Sequence, residues 1–347
     1  LKRICYEKEL VIGCLHGRGY GIFCFRAFIY YRLASHYGNV PILRKRSKEV
    51  VPISPEAEVW TFIEEDLGKA IRLLSKADSK WYVSSDAANA LAARVALFQN
   101  KMTDAANYAE AVLANPSFSL ASTAMDFSKN WVAGSSSPEI IFAYVNNSRA
   151  SSPLNFTLYV NDTDGSWNYA PSDWCYNSLF ADDNTLSRKG DVRLKATFTS
   201  QDANRVIKYP NGTYQLAETS DYTCTPVVIS RISEMYLIKA EALGKTNGAA
   251  ALVEYMKKRY TTAPSEAAIK ALSDKEYQTL ILDERRREFY AEGMRWQDIK
   301  RTNRLELLET LDGRTYLMYY PIPQDEIDMA GTVAYPQNPG YAGYTGN

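Results

Sequence analysis

The amino-acid sequence predicts a mostly α-helical protein built of tetratricopeptide-type helical hairpins and interrupted by an irregular, loop-rich insertion. Three observations predict it. Apolar residues recur at three- and four-residue steps over residues 20–114 and again from 229 to about 301. Residues that start and stop helices bracket those stretches. Between residues 117 and 228 the period disappears, and Gly, Ser, Asn, Asp, Thr, Trp and Tyr dominate. With 347 residues the chain can bury most of its unfolded surface without disulfides or metals as staples.

The elements follow in order. Residues 20–37 carry Phe23, Phe25, Phe28, Tyr30, Tyr31 and Leu33, apolar nearly all round, which predicts a buried helix. Gly38-Asn39-Val40-Pro41 stops it. The basic stretch 42–53, with Arg44-Lys45-Arg46, reads as a solvated loop. Ser54-Pro55-Glu56 supplies a cap, a first-turn proline and an early acid. Val59, Phe62, Ile63, Leu67, Ala70, Ile71 and Leu74 then make one helix face. Two further helices, from about Asp86 to Phe98 and from Asp104 to Ala114, form a pair closed by Asn115-Pro116. In that pair Leu91, Ala92, Tyr108, Ala111 and Pro116 fall in register with tetratricopeptide packing positions, while Asp104 stands where the repeat has alanine. Within the insertion, strands are expected at 139–145 and 156–160.

Helical period returns near Ile229. Ile232, Met235, Tyr236, Ala240 and Leu243 make one face, Asn247-Gly248 is the expected turn, and Ala249, Leu252, Val253 and Met256 make the return helix. Ser273-Asp274-Lys275-Glu276 is a capping box that opens a long helix to about Glu292, stopped by Gly293. Trp296–Arg301 is a short helical turn, followed by Tyr319-Tyr320-Pro321-Ile322-Pro323 and a tail rich in Pro, Gly and Tyr.

Composition excludes several chemistries. Forty basic and forty acidic residues leave no net charge, which argues against nucleic acid as a partner. Two histidines, His16 and His36, are too few for a multi-histidine metal centre. Five cysteines, none in a C-x-x-C pair, rule out a zinc ribbon or a dense disulfide framework. Glu284, Glu288 and Glu292 share a helix face but have no Glu-x-x-His partner, so a di-iron reading fails. Asn161-Asp162-Thr163-Asp164-Gly165 lacks the glutamate that an EF-hand needs, with Pro171 in its place. No metal or cofactor is expected. The acids Asp162, Asp164, Asp173, Asp182 and Asp183 read as turn or cap residues, and no local signature marks the carboxylate pair of a glycosidase. No stretch reaches 18 apolar residues, so no transmembrane helix is expected, and the first ten residues are too charged for a signal peptide. Val11-Ile12-Gly13-Cys14 has the outline of a lipobox, but Glu7, Lys8 and Glu9 occupy the place of its apolar run.

Several segments in fixed order resemble the SusD/RagB family of Bacteroidetes nutrient-binding lipoproteins. Residues 231–242, RISEMYLIKAEA, are similar to the family's "RyaEvyLiyAEAl" helix. Residues 282–301, LDERRREFYAEGMRWQDIKR, are similar to its "ERRrElafEGhRwfDlkR" signature. Residues 321–327, PIPQDEI, and 337–341, QNPGY, are similar to its closing motifs. Residues 26–28 with 37–41 resemble "RAfyyf…lyGdVPl", and Leu179-Phe180 with Asp191–Leu194 resembles "lF…DpRl". Residues 1–19 match nothing in the pattern.

The resemblance implies one SusD-like domain over residues 1–347: a helical part at 20–116, a ligand-binding insertion at 117–228, and the hairpin and signature at 229–347. It implies a non-catalytic, lipid-anchored protein exposed at the surface of the outer membrane, its anchor and signal lying outside this sequence. Such a protein captures glycans, or in some members peptides, for a SusC-like TonB-dependent transporter. A protein-interaction scaffold without a small ligand is the alternative.

Two expectations about residues follow. Glu284, Arg285, Arg287, Glu288, Glu292, Arg295, Asp298 and Arg301 should form an ion-pair network tying the long helix to the chain around Trp296. Sugar rings stack on aromatic faces while amides and carboxylates bond their hydroxyls, so the ligand site is expected at Trp167, Tyr169, Trp174 and Tyr176, with Asn168 and Asp173 as hydrogen-bonding partners and Trp81 and Trp131 as second choices.

Overall fold

Helix dominates the computed structural model, which describes residues 18–76, 79–132, 137–144, 170–198, 206–208, 225–308, 311 and 313–342. Among these the helices are α1 (Gly21–Tyr37), α2 (Glu56–Leu73), α3 (Ser85–Phe98), α4 (Met102–Leu113), α5 (Ala124–Ser128), α6 (Val192–Thr197), α7 (Ile232–Arg259), α8 (Glu266–Ala271), α9 (Asp274–Glu288), α10 (Arg295–Thr302) and α11 (Gln324–Ala330). Strands β1 (Ile140–Tyr144) and β3 (Val227–Arg231) pair antiparallel, as do β2 (Lys189–Asp191) and β4 (Tyr260–Thr262). The expected strand at 156–160 lies outside the described residues.

The described residues divide into two units. The first holds α1, α2, α3 and the chain from Trp296 onward; the second holds residues 79–82 and Gln99–Arg295.

In the first unit, α1 buries Cys24, Ala27, Tyr31 and Ala34, a three- and four-residue spacing that lays them against α2. Gly38 ends α1 at φ 73°, donating its N–H to Ala34 O at 2.9 Å. The start of α2 differs from expectation. Ser54 does not cap it, because Pro55, which has no capping side chain, holds the N-cap position; Asn39 Oδ1 instead accepts the first helical N–H, from Glu56, at 2.8 Å. Arg26 grips the fully buried Asp66 through two bonds of 2.6 and 2.9 Å. The closing motifs work as clamps. Gln337 brackets Ile322, accepting its N–H at 2.7 Å and donating to its carbonyl at 3.0 Å, while Asn338 donates to Tyr37 O and Tyr320 O.

In the second unit, α4 buries Ala105, Ala106, Ala109 and Val112 and packs on α7. This corrects the tetratricopeptide register expected from the sequence: Ala111 and Pro116 are exposed and Tyr108 is half-buried. The packing helix for α4 is distant in sequence, and α3 packs on α2 in the other unit. The turn inside α7 also differs. It falls at Gly244, whose φ of 65° and ψ of 173° break the helix, rather than at Asn247-Gly248. Gly248 is instead where the two arms meet: a Cβ there would stand 2.1 Å from Ala240 O. The capping box of α9 is as expected, Ser273 and Glu276 each accepting the other's backbone N–H. The helix ends earlier than expected, at Glu288, because Ala291 and Gly293 both adopt positive φ.

Candidate functional site

The inner face of α9 carries charge into the core of the second unit. Glu284 and Glu288, one turn apart, are both fully buried. Glu288 Oε1 accepts from Arg231 at 2.7 Å and Arg259 at 2.9 Å; its Oε2 accepts from Arg259 at 2.9 Å and the Tyr255 hydroxyl at 2.8 Å. Glu284 accepts from Tyr260 at 2.6 Å, Arg287 at 2.8 Å and Arg193 at 2.9 Å. Glu139 joins Arg231 and Arg259, Asp191 holds Arg193, and Glu292 holds Lys208 and Arg231.

Five cations thus meet five carboxylates, so the cluster is close to neutral and each member has partners. The network is real, but its partners differ from those expected. It ties α9 to β3, α6, the end of α7 and Lys208. Asp298 pairs with Arg301 at 2.8 Å, and Arg285 faces Glu234 at 3.9 Å.

Burial alone would raise the pKa of Glu288, but Arg259 and Arg231 outweigh it and hold the group well below the ordinary carboxylate value. Burial would likewise raise Glu284, and Arg193 and Arg287 reverse it. Burial raises the Tyr255 and Tyr260 phenols, which stay protonated as donors. A carboxylate depressed in the folded state stabilises the fold above its unfolded pKa, and that stability is lost as pH falls through the folded value. The network's contribution to stability is therefore expected to be fully present above pH about 4.5, the ordinary value for glutamate, and to be lost as pH falls below it. Asp283, raised by burial, acts in the opposite sense. Melting temperature against pH checks it: a melting temperature that stays flat to pH 3 would contradict the network's role.

The outer face of the same helix presents Arg286. Its guanidinium lies 4.6 Å from the centroid of the Trp174 ring. Trp174 is 51% exposed, on a turn that runs into one turn of π-helix, Cys175–Leu179. That turn is anchored underneath. Cys175, Leu179 and Phe180 pack with Phe198 and Val206, and Arg287 Nε donates to Leu179 O at 2.6 Å. Asp173, Asn177 and Ser178, close to Trp174 in the chain, are exposed. Tyr176 is half-buried and meets Phe198 edge-on at 5.8 Å.

Of the residues expected to form the site, Trp174 and Asp173 are exposed and Tyr176 is partly so, whereas Trp167, Asn168 and Tyr169 lie outside the described residues. Trp81 is half-buried, with Lys80 Nζ 5.3 Å from its ring. Trp131 is not a ligand platform: it is fully buried, packed against Phe127 with the Lys208 ammonium 4.5 Å from its ring. Its ring covers the buried charges, a use that favours an aromatic in the core. Arg286 was missed. The signal was the helix period, which turns 286 outward when 284 and 288 turn inward. Asp182 and Asp183 serve as turn residues, accepting from Gly190 N and from Thr185 N and Leu186 N. Among the described residues no His, Cys, Asp and Glu cluster is arranged to hold a metal ion, and no helix is long and apolar enough to cross a membrane.

Two family models match in chain order, one described as "Starch-binding associating with outer membrane" over residues 14–97 and one as "SusD family" over residues 178–312. The chain is 23% identical to SusD-like protein P38 of Formosa agariphila, over 84% of this chain and 68% of that protein. A SusD superfamily protein of Bacteroides thetaiotaomicron superposes with a TM-score of 0.75 at 22% identity, covering 95% of this chain and 81% of that one. Surface glycan-binding protein A of Bacteroides fluxus superposes at 0.73 with 19% identity, over 96% and 79%. The fold is therefore the mostly α-helical SusD-like one. The second family model spans every member of the α9 charge network except Glu139, the first spans α1, α2 and nearly all of α3, and together they place this chain in the SusD/RagB family.

Proposed function

We propose that the protein binds glycans at the outer-membrane surface without cleaving them and delivers them to a SusC-like TonB-dependent transporter. The observation that carries this reading is Trp174, a large indole half open to solvent on a turn anchored from below. An indole face held rigid offers apolar area to the C–H face of a sugar at little entropic cost. Asp173 and Asn177, exposed and within three residues of it in the chain, supply acceptors and donors. The family description of starch binding and the glycan-binding neighbour point the same way. Binding without turnover fits the placement of the acids: Glu139, Glu284 and Glu288 are buried and committed to arginines, whereas a glycosidase holds two carboxylates about 5–10 Å apart across an open cleft.

Retardation of the protein in native gels cast with a panel of neutral and acidic polysaccharides tests the proposal. Wild type is expected to be retarded by at least one polymer, and Trp174→Ala to lose about tenfold in affinity for it. Retardation by no polymer, or release of reducing ends during incubation, would refute it.

A further inference from the structure

We infer that Arg286, stacked on Trp174, is the anchor for a carboxylated sugar, so that the preferred ligands are uronic-acid-type glycans rather than neutral ones. The inference deepens the glycan-binding reading and rests on it. Three consecutive arginines on α9 behave differently. Arg285 faces the buried Glu234 at 3.9 Å, and Arg287 is bound to Glu284 at 2.8 Å and to Leu179 O at 2.6 Å. Arg286 has neither. Arg286 is half-buried and makes no hydrogen bond or ion pair among the described residues; it lies over the Trp174 ring and feels the charge of Asp283, three residues back on the same helix.

No described side chain accepts from the Arg286 N–H groups, and a guanidinium held over a ring keeps N–H donors for a ligand. Those donors form a planar fork matched to the two oxygens of a carboxylate. Trp174 thus does two things: it fixes the orientation of Arg286, and it supplies the apolar surface next to which a sugar ring would lie. The anchorage of the 175–179 turn to α9 through Arg287 keeps indole and guanidinium in register. The chain as a whole carries no net charge, so attraction for a polyanion would come from this local fork and not from a general field.

Affinity electrophoresis of the full chain in polygalacturonate, dextran, a neutral β-glucan and dextran sulfate tests this. Wild type is expected to be retarded most by polygalacturonate. Arg286→Gln is expected to lose about tenfold of that affinity with its melting temperature unchanged. Arg286→Lys, which keeps the charge and loses the fork, is expected to fall between the two. Unchanged polygalacturonate binding by Arg286→Gln would overturn the inference. So would binding of dextran or β-glucan as tight as that of polygalacturonate, which would leave the glycan-binding reading standing. Equal binding of dextran sulfate would show charge attraction without carboxylate recognition and would likewise overturn it. Binding of none of the four, nor of any other polysaccharide, would sink the broader reading itself.

Discussion

Glu288→Gln is expected to cost the protein about 3–5 kcal/mol of folding stability. The Glu288 carboxylate accepts from Arg231, Arg259, Arg193 and Tyr255 in a place sealed from water. Glutamine keeps the shape but removes the negative charge and turns one acceptor into a donor. Five cations then face four carboxylates, and Arg259, fully buried, loses half of its ionic partnership. Nothing on the surface offsets this, since exposed ion pairs are worth about 0–1 kcal/mol. Urea unfolding followed through α9 checks it, with the midpoint falling and the slope unchanged. A loss below about 1 kcal/mol would show that the network behaves like a solvated surface cluster.

Gly248→Ala is expected to destabilise by about 2 kcal/mol or more, although alanine is the better helix former by about 1 kcal/mol. The added Cβ would lie 2.1 Å from Ala240 O and 2.9 Å from Ala240 C, both backbone atoms of the facing arm of α7. A backbone cannot swing aside as a flexible side chain can, so the two arms must separate. That strains the packing of Leu252, Met256 and Tyr277, all buried in the same cluster, and the bond from the Tyr277 hydroxyl to Ala240 O at 2.7 Å. Overpacking of this kind outweighs the gain in propensity. Thermal unfolding of the variant decides the sign; a raised melting temperature would mean that the arms part freely.

Much of the frame was legible in the chain. The starts of α1, α3, α4 and α9 fell close to where period and caps put them, because helix period and capping are local and act over a single turn. The turn of α7 was misplaced because two signals compete there. Asn247-Gly248 has turn chemistry, yet Gly244 takes the positive φ, and Gly248 is spent on close approach to Ala240. The α9 network was legible in its members on and just after the helix, Glu284, Arg287, Glu288 and Glu292, and not in its distant ones: Arg193, Lys208, Arg231 and Arg259 lie between 29 and 95 residues from Glu288, and Glu139 and Asp191 are also far from it in the chain.

Helices, their apolar faces and the motif order that marks the family all follow from residues near one another along the chain. Which carboxylate meets which arginine, that Trp131 is spent on the core while Trp174 faces solvent, and that Arg286, unlike its two neighbours, forms no ion pair among the described residues, arise from contacts between distant segments. The physical reason is range. Backbone conformation is set within a few residues, whereas burial and charge pairing depend on what folding brings from far along the chain into the same few ångströms.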